Sequence, residues 1–255
     1  MPTIVRPDPQ QTIRDTPEQR GTDINKTSHT TSSTAAFDSF DFGELTPRQR
    51  YKLLIGTVVP RPIAWVTTIS PEGLINAAPY SFFNCLSADP AIVALSVENR
   101  PDMAFKDTAY NIRMTEEFTV NIVSEALAEA MNTTAVAFPA DVDELARAGL
   151  NTAPGSHVRC PRIREAPAAL ECRRYITLEV GRSREIILGQ VVAKHIRSSI
   201  VNAEKHYVDQ AGLDAVGRMG GHGYCTTRDY FDLATPSLDD WHEGKVAGRT
   251  GIRRG

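Results

Sequence analysis

The segment that most limits the fold runs from Ile63 to Ala78. Ile63–Ile69 is rich in β-branched and aromatic residues, Ser70-Pro71-Glu72-Gly73 is turn chemistry, and Leu74–Ala78 resumes the strand pattern. Two extended segments joined by so tight a reversal pair antiparallel. "AIVALSV" (Ala91–Val97) and Phe118–Val123 read as further strands. So do "ALECRRYITLEVG" and "EIILGQVVAKHIR", in which apolar and polar residues alternate. The helices are inserted among the strands without interleaving one for one. Thr46, Pro47 and Gln49 form a helix start whose helix Pro60 ends; Asp107 or Thr108 caps a short helix through Met114; Ser124 caps "EALAEAMNTTA". This order predicts a mainly β chain with inserted helices, an antiparallel barrel, and fits a doubly wound α/β sheet poorly.

Residues 1–36 are Thr-, Ser- and Gln-rich with scattered charges. They read as a disordered lead that cannot bury enough surface to offset ordering, and they lack an apolar signal core. Residues 37–236 form the folded domain, and 237–255 read as a flexible tail. A formal charge of -3 argues against a general grip on nucleic acid, and no apolar run approaches the roughly 20 residues of a membrane span. The four cysteines stand at 85, 160, 172 and 225, without C-x-x-C pairing or a zinc-finger histidine. Reduced thiols and a cytoplasmic location follow, with no metal site expected.

Few residues carry recognisable chemistry. "GRMGGHGY" (Gly217–Tyr224) is glycine-rich but lacks the G-x-G-x-x-G spacing and the strand–helix flanks of a dinucleotide loop. No Walker loop and no G-x-S-x-G elbow is present. "KDT" is a better anion candidate: Lys106 brings a point charge and Thr108 a hydroxyl, and a helix starting at Asp107 would add free backbone N–H groups. An ordinary helix cap beside a solvated lysine reads the same tripeptide as well. Thr67 and Thr68 are adjacent on a strand, so only one of them faces any ligand. "NAAPYSFFN" puts Asn76, Ala77, Ala78, Ser81, Phe82, Phe83 and Asn84 in one block: amide and hydroxyl groups, small residues for close approach, and apolar walls. Asp141, Asp143 and Glu144 read as a solvated helix start.

The combination of "RPIAWVTT", "NAAPYSFFN", "KDT" and "EFTVN" within Pro60–Val123 resembles the flavin-reductase-like, FMN-binding split-barrel family. The likeness resumes more loosely in "ILGQVVAKHI" and "GRMGGHGYCTTRDYFDLATP". One departure is Asp89-Pro90-Ala91, where the family often has a second proline. The resemblance implies a Greek-key split barrel, a homodimer, and FMN (or FAD) near the dimer interface. It also implies that Thr67 and Thr68 line the ligand side, that Asn76 to Asn84 wrap the ring and ribityl chain, and that Lys106, Asp107 and Thr108 hold the phosphate. Arg218, Gly220, Gly221, His222 and Tyr224 would lie near the flavin or nicotinamide, from the second subunit. No catalytic side chain is then required, because the cofactor carries the chemistry. The expected activity is hydride transfer from NAD(P)H to flavin and on to an acceptor such as a flavin-dependent monooxygenase. The alternative is a non-catalytic FMN carrier of the same fold.

Overall fold

A seven-stranded antiparallel sheet organises the chain, and its strand order explains where the interior lies. The computed structural model describes residues 36–245, 248 and 250–253. The expected disordered lead lies outside the described residues except for Ala36; residues 36–41 carry no helix or strand, and the chain from Phe42 onward is a single compact unit.

Helix α1 (Pro47–Thr57) starts as the sequence predicts, with Thr46 and Gln49 closing a reciprocal capping box. Strand β1 (Arg61–Pro62) leads into β2 (Ala64–Ile69), which turns at Ser70–Gly73 into β3 (Ile75–Tyr80). Gly73 takes φ 93°, a value that favours glycine, so the turn residue is set by the backbone. Next come β4 (Phe83–Ala88), β5 (Ala91–Glu98), helix α2 (Asp107–Thr115) and β6 (Glu117–Asn121). Short helices α3 (Ala128–Thr133) and α4 (Glu144–Arg147) follow, with two-residue strands β7 (Thr152–Ala153) and β8 (Arg162–Ile163) paired to each other. The long hairpin is β9 (Ala168–Val180) and β10 (Arg184–Ile196). After it, β11 (Val201–Asn202) pairs with β12 (Tyr207–Val208), and α5 (Gln210–Leu213) leads to β13 (Val216–Arg218) and β14 (Tyr224–Thr226). At the end lie β15 (Tyr230–Asp232), α6 (Leu238–His242) and β16 (Thr250–Arg253).

The main sheet runs β3-β2-β6-β9-β10-β5-β4, every pair antiparallel. Consecutive strands β3 and β4 therefore end up at opposite edges, and the barrel is split where Ser81 and Phe82 cross from one to the other. Alternation on β2 divides two cores. Ala64 and Val66 face the barrel interior with Val93, Leu95, Phe118 and Ile187, closed by Ala109 and Ile112 of α2. Trp65 and Ile63 face outward into a second core with Ala77, Met131, Leu145 and Ile163, beneath α3 and α4.

Four local expectations change. The α2 N-cap is Lys106 and not Asp107 or Thr108, because Asp107 turns its carboxylate to Arg100 at 2.8 Å. Ser124 makes no side-chain cap; its backbone bridges Ala215, and a 3-10 turn precedes α3. The region read as loop from Phe138 to Pro167 carries α4, β7 and β8. Within 237–255, read as a flexible tail, Ser237 and Asp240 close a capping box on α6, and β16 pairs with β15.

Two packing features set predictions. At Gly189 on β10 an added Cβ would sit 2.3 Å from Phe118 Cζ in the barrel core. Gly189→Ala is expected to cost about 2 kcal/mol by overpacking, read as a lower urea midpoint at unchanged slope, with Phe118→Leu relieving part of it.

The second is Glu171 of β9, fully buried, which accepts from the N–H groups of Ser156 (2.7 Å), His157 (2.6 Å) and Val158 (3.0 Å), from Ser156 Oγ, and faces His195 Nε2. Burial alone would raise its pKa, but these donors outweigh it and hold the carboxyl at about 2, against an ordinary 4.5. The stabilisation is therefore complete above about pH 4.5 and is lost as pH falls towards 2. Glu171→Gln should lower stability at pH 7 by about 2 kcal/mol and flatten that acid limb in a thermal-melt series.

Candidate functional site

The site grows from the inward-facing ends of β2 and β3 and the first turn of α2. On β2 the two threonines part company. Thr67 points outward, fully buried, and donates to the Pro161 carbonyl while accepting from Asn121 Nδ2. Thr68 points inward and accepts from Asn111 Nδ2 of α2 at 3.1 Å and from Asn76 Nδ2 at 3.4 Å. Asn76 lies opposite Thr68 on β3 and also donates to Thr108 Oγ at 3.0 Å. Tyr80 donates its hydroxyl to the same Thr108 oxygen at 2.9 Å. Burial pushes the Tyr80 phenol up to about 12, so it keeps that proton. With two donors already on its oxygen, Thr108 has its own O–H left to give.

A cavity of about 650 Å³ opens beside this network. Of the residues expected at the site, Asn76, Ala78, Lys106, Asp107 and Thr108 line it. Its far wall is the Thr134–Ala140 loop, with Val136, Phe138 and Pro139. Lys106 is exposed and makes no ion pair among the described residues; as N-cap it offers no acceptor to the first-turn N–H groups of α2. Those amides, the lysine and the Thr108 hydroxyl are three kinds of donor around one corner, which is the requirement for holding a phosphate. Asp107 would oppose an anion, but Arg100 neutralises it through contacts of 2.8 and 3.0 Å and lines the cavity itself.

The remaining expected residues lie elsewhere. Ala77 faces the outer core and gives its N–H to Glu144 Oε2 at 3.1 Å. Ser81 Oγ receives Arg61 Nε at 3.5 Å, and the Phe82 ring lies 4.9 Å below the Arg184 guanidinium. Phe83 and Asn84 line a separate cavity of about 260 Å³. In the glycine loop, Arg218 stacks 4.5 Å over Tyr224 and donates to the Gly221 carbonyl at 2.8 Å. Gly220, Gly221 and His222 sit in the turn joining β13 to β14, which Arg61 anchors to α1 by donating to the Met219, Ile55 and Val58 carbonyls. Within this chain that loop does not line the larger cavity.

Arg100 and Glu144 are site residues that the sequence reading missed, and Tyr80, inside the Asn76–Asn84 block, was given no role of its own. Glu144 is not solvated: it is buried on the cavity wall, and burial, with Asp107 and Asp143 nearby, raises its pKa. Burial makes this carboxyl harder to ionise than an exposed acid, while the Ala77 N–H it accepts favours the charged form.

Known proteins align with this architecture. A Deinococcus radiodurans protein is 48% identical over 80% of this chain and 92% of its own length. The crystal structure of nitrilotriacetate monooxygenase component B from Bacillus cereus is 31% identical, superposes with a TM-score of 0.75, and is covered over 100% of its length by 78% of this chain. The 2-nitrobenzoate 2-nitroreductase NbaA of Pseudomonas fluorescens is 36% identical, with a TM-score of 0.73 over 79% of this chain and 98% of its own. The model of the flavin reductase like domain matches residues 55–211, spanning the barrel, the α2 corner and both walls of the larger cavity, and the chain belongs to that family.

Proposed function

We propose that the chain is an FMN-dependent oxidoreductase that takes a hydride from NAD(P)H and delivers reducing equivalents to a separate acceptor. The observation that carries this reading is the donor set at the start of α2. Lys106, the uncapped amides and the Thr108 hydroxyl meet on one cavity, with Arg100 offsetting Asp107. That set suits the phosphomonoester of FMN.

When bound, FMN supplies the hydride chemistry, so the chain needs no catalytic acid–base pair. The protein's own residues bind and orient. Lys106 and Thr108 would hold the phosphate; Asn76 and Tyr80 fix the Thr108 oxygen, with Thr68, itself bonded by Asn111, accepting from Asn76; Ala78 and the Thr134–Ala140 loop exclude water. In this reading Ser81 to Asn84 continue the contact surface past the cavity mouth, and the glycine loop, Arg218 to Tyr224, serves the partner subunit's flavin.

A homodimer belongs to the same reading. Beyond Arg174 strand β9 has no partner on its β6 side among the described residues, and Tyr175, Ile176, Leu178 and Val180 are exposed there. A bare apolar edge of this kind invites a second chain. A monooxygenase component at 31% identity and a nitroreductase at 36% frame the acceptor: an oxygenase partner fed with reduced flavin, or a small molecule reduced directly. Four free cysteines, and the lack among the described residues of any helix long and apolar enough to cross a membrane, fit a cytoplasmic site of action.

Titrating the purified protein with FMN and following flavin fluorescence tests the cofactor. Lys106→Ala should weaken binding about tenfold or more, the loss of one charge-assisted phosphate contact, with the melting temperature kept. Unchanged affinity would remove Lys106 from the phosphate site. Anaerobic mixing of the FMN-loaded protein with NADH and with NADPH should bleach the flavin absorbance within seconds for at least one of them. Persistence of the oxidised spectrum with both would leave the carrier reading standing.

A further inference from the structure

On another part of the barrel, two cavities share a wall and have opposite character. One, of about 450 Å³, is lined by Arg162, Arg164, Lys194 and Arg197, with His195 at its edge and no acidic residue in its lining. Among the described residues none of these four cations forms an ion pair. Arg164 spends its N–H groups on the Thr152 carbonyl (3.3 and 3.1 Å), and Arg197 donates to the Glu165 carbonyl at 3.1 Å. Among the described residues Arg162 Nε is buried with no acceptor. His195 is engaged by Glu171, whose carboxylate is already bonded by the Ser156–Val158 amides, and Glu165, beside Arg164, turns its carboxylate to the Asn151 amides.

The other cavity, of about 260 Å³, is lined by Pro62, Phe83, Ile122, Leu170, Val208 and Leu213, among others. Ala168, Lys194 and Ile196 border both. None of the residues lining either cavity lines the Lys106–Thr108 cavity.

We propose that this pair of cavities is one binding site for a small organic anion: an apolar ring in the Phe83–Leu213 cavity and a carboxylate in the Arg162–Lys194–Arg197 basin. Four cations around one basin with no ion pair among the described residues repel one another, and a buried guanidinium N–H without an acceptor is a standing cost; a carboxylate relieves both. The fork of an arginine matches the two oxygens of a carboxylate. Lys194 joins the halves, since its methylene stem suits an apolar wall and its ammonium an anion. An inorganic anion would use the basin and leave the apolar cavity idle. A ring-bearing carboxylate uses both. The assignment shares no lining residue with the Lys106–Thr108 cavity; Phe83 and Asn84 also fall in the block read above as continuing the flavin surface, whereas Lys194 and the arginines do not.

The test is calorimetric titration of the full chain at low ionic strength with benzoate, acetate and inorganic phosphate. Benzoate should bind saturably and at least tenfold more tightly than acetate or phosphate. Lys194→Glu, an exposed position whose change leaves the fold intact by circular dichroism, should weaken benzoate at least tenfold, while Lys106→Ala leaves it unchanged. Absence of saturable benzoate binding, acetate or phosphate binding as tightly as benzoate, or a Lys194→Glu titration matching the unmodified chain would each overturn the proposal. FMN affinity measured on Lys194→Glu reports separately on the flavin site.

Discussion

Burial of strand β2 on both faces is the constraint from which the rest follows. Five of its six residues are buried, Ala64 through Thr68, although two of them are threonines. A central strand of this kind has no solvent face, so each hydroxyl needs a partner inside the protein. Thr67 finds it outward in the Pro161 carbonyl, and Thr68 finds it inward in Asn76 and Asn111. The inward choice ties β3 and α2 to the strand and thereby sets where Thr108 and the head of α2 come to rest. The candidate site is thus the satisfied end of a core network and rests on a rigid element, with only its rim formed by loops.

Much of this was legible because it is local. The Ser70–Gly73 reversal, the Thr46–Gln49 box and the alternation of the β9–β10 hairpin each carry their signal within a few residues, and the structure has them where the pattern puts them. Strand β4 was not legible. It is an edge at the split, exposed from Asn84 to Ala88, so neither of its faces shows an apolar period. Glu144 was misread for a related reason. Asp143 does cap α4, as a helix start should, but the burial of the next residue is decided by the Ala77 N–H from a distant strand. Arg100 reaches the site only because the loop after β5 folds back to set it against Asp107, a pairing that local propensity does not encode.

The split between β3 and β4 also explains why the expected block from Asn76 to Asn84 divides. Up to Tyr80 the chain alternates on a paired strand, with Asn76, Ala78 and Tyr80 on the inner face. At Ser81 it leaves that edge, and Phe83 joins the opposite edge of the sheet beside Leu95. One continuous sequence motif therefore serves two cavities. A linear reading assigns it to one ligand, whereas the sheet order assigns its halves to different sides of an opening.

The Ser156–Val158 segment has a consequence of its own. It carries no helix or strand, yet three successive amides converge on one buried carboxylate, as they would on a bound anion. Those hydrogens are tied to the outward-facing side of β9, and their release would strip a fully buried carboxylate of its donors. In heavy water this stretch should hold its protons as long as the strands do, so the slowest-exchanging part of the molecule extends into what a secondary-structure diagram draws as a loop.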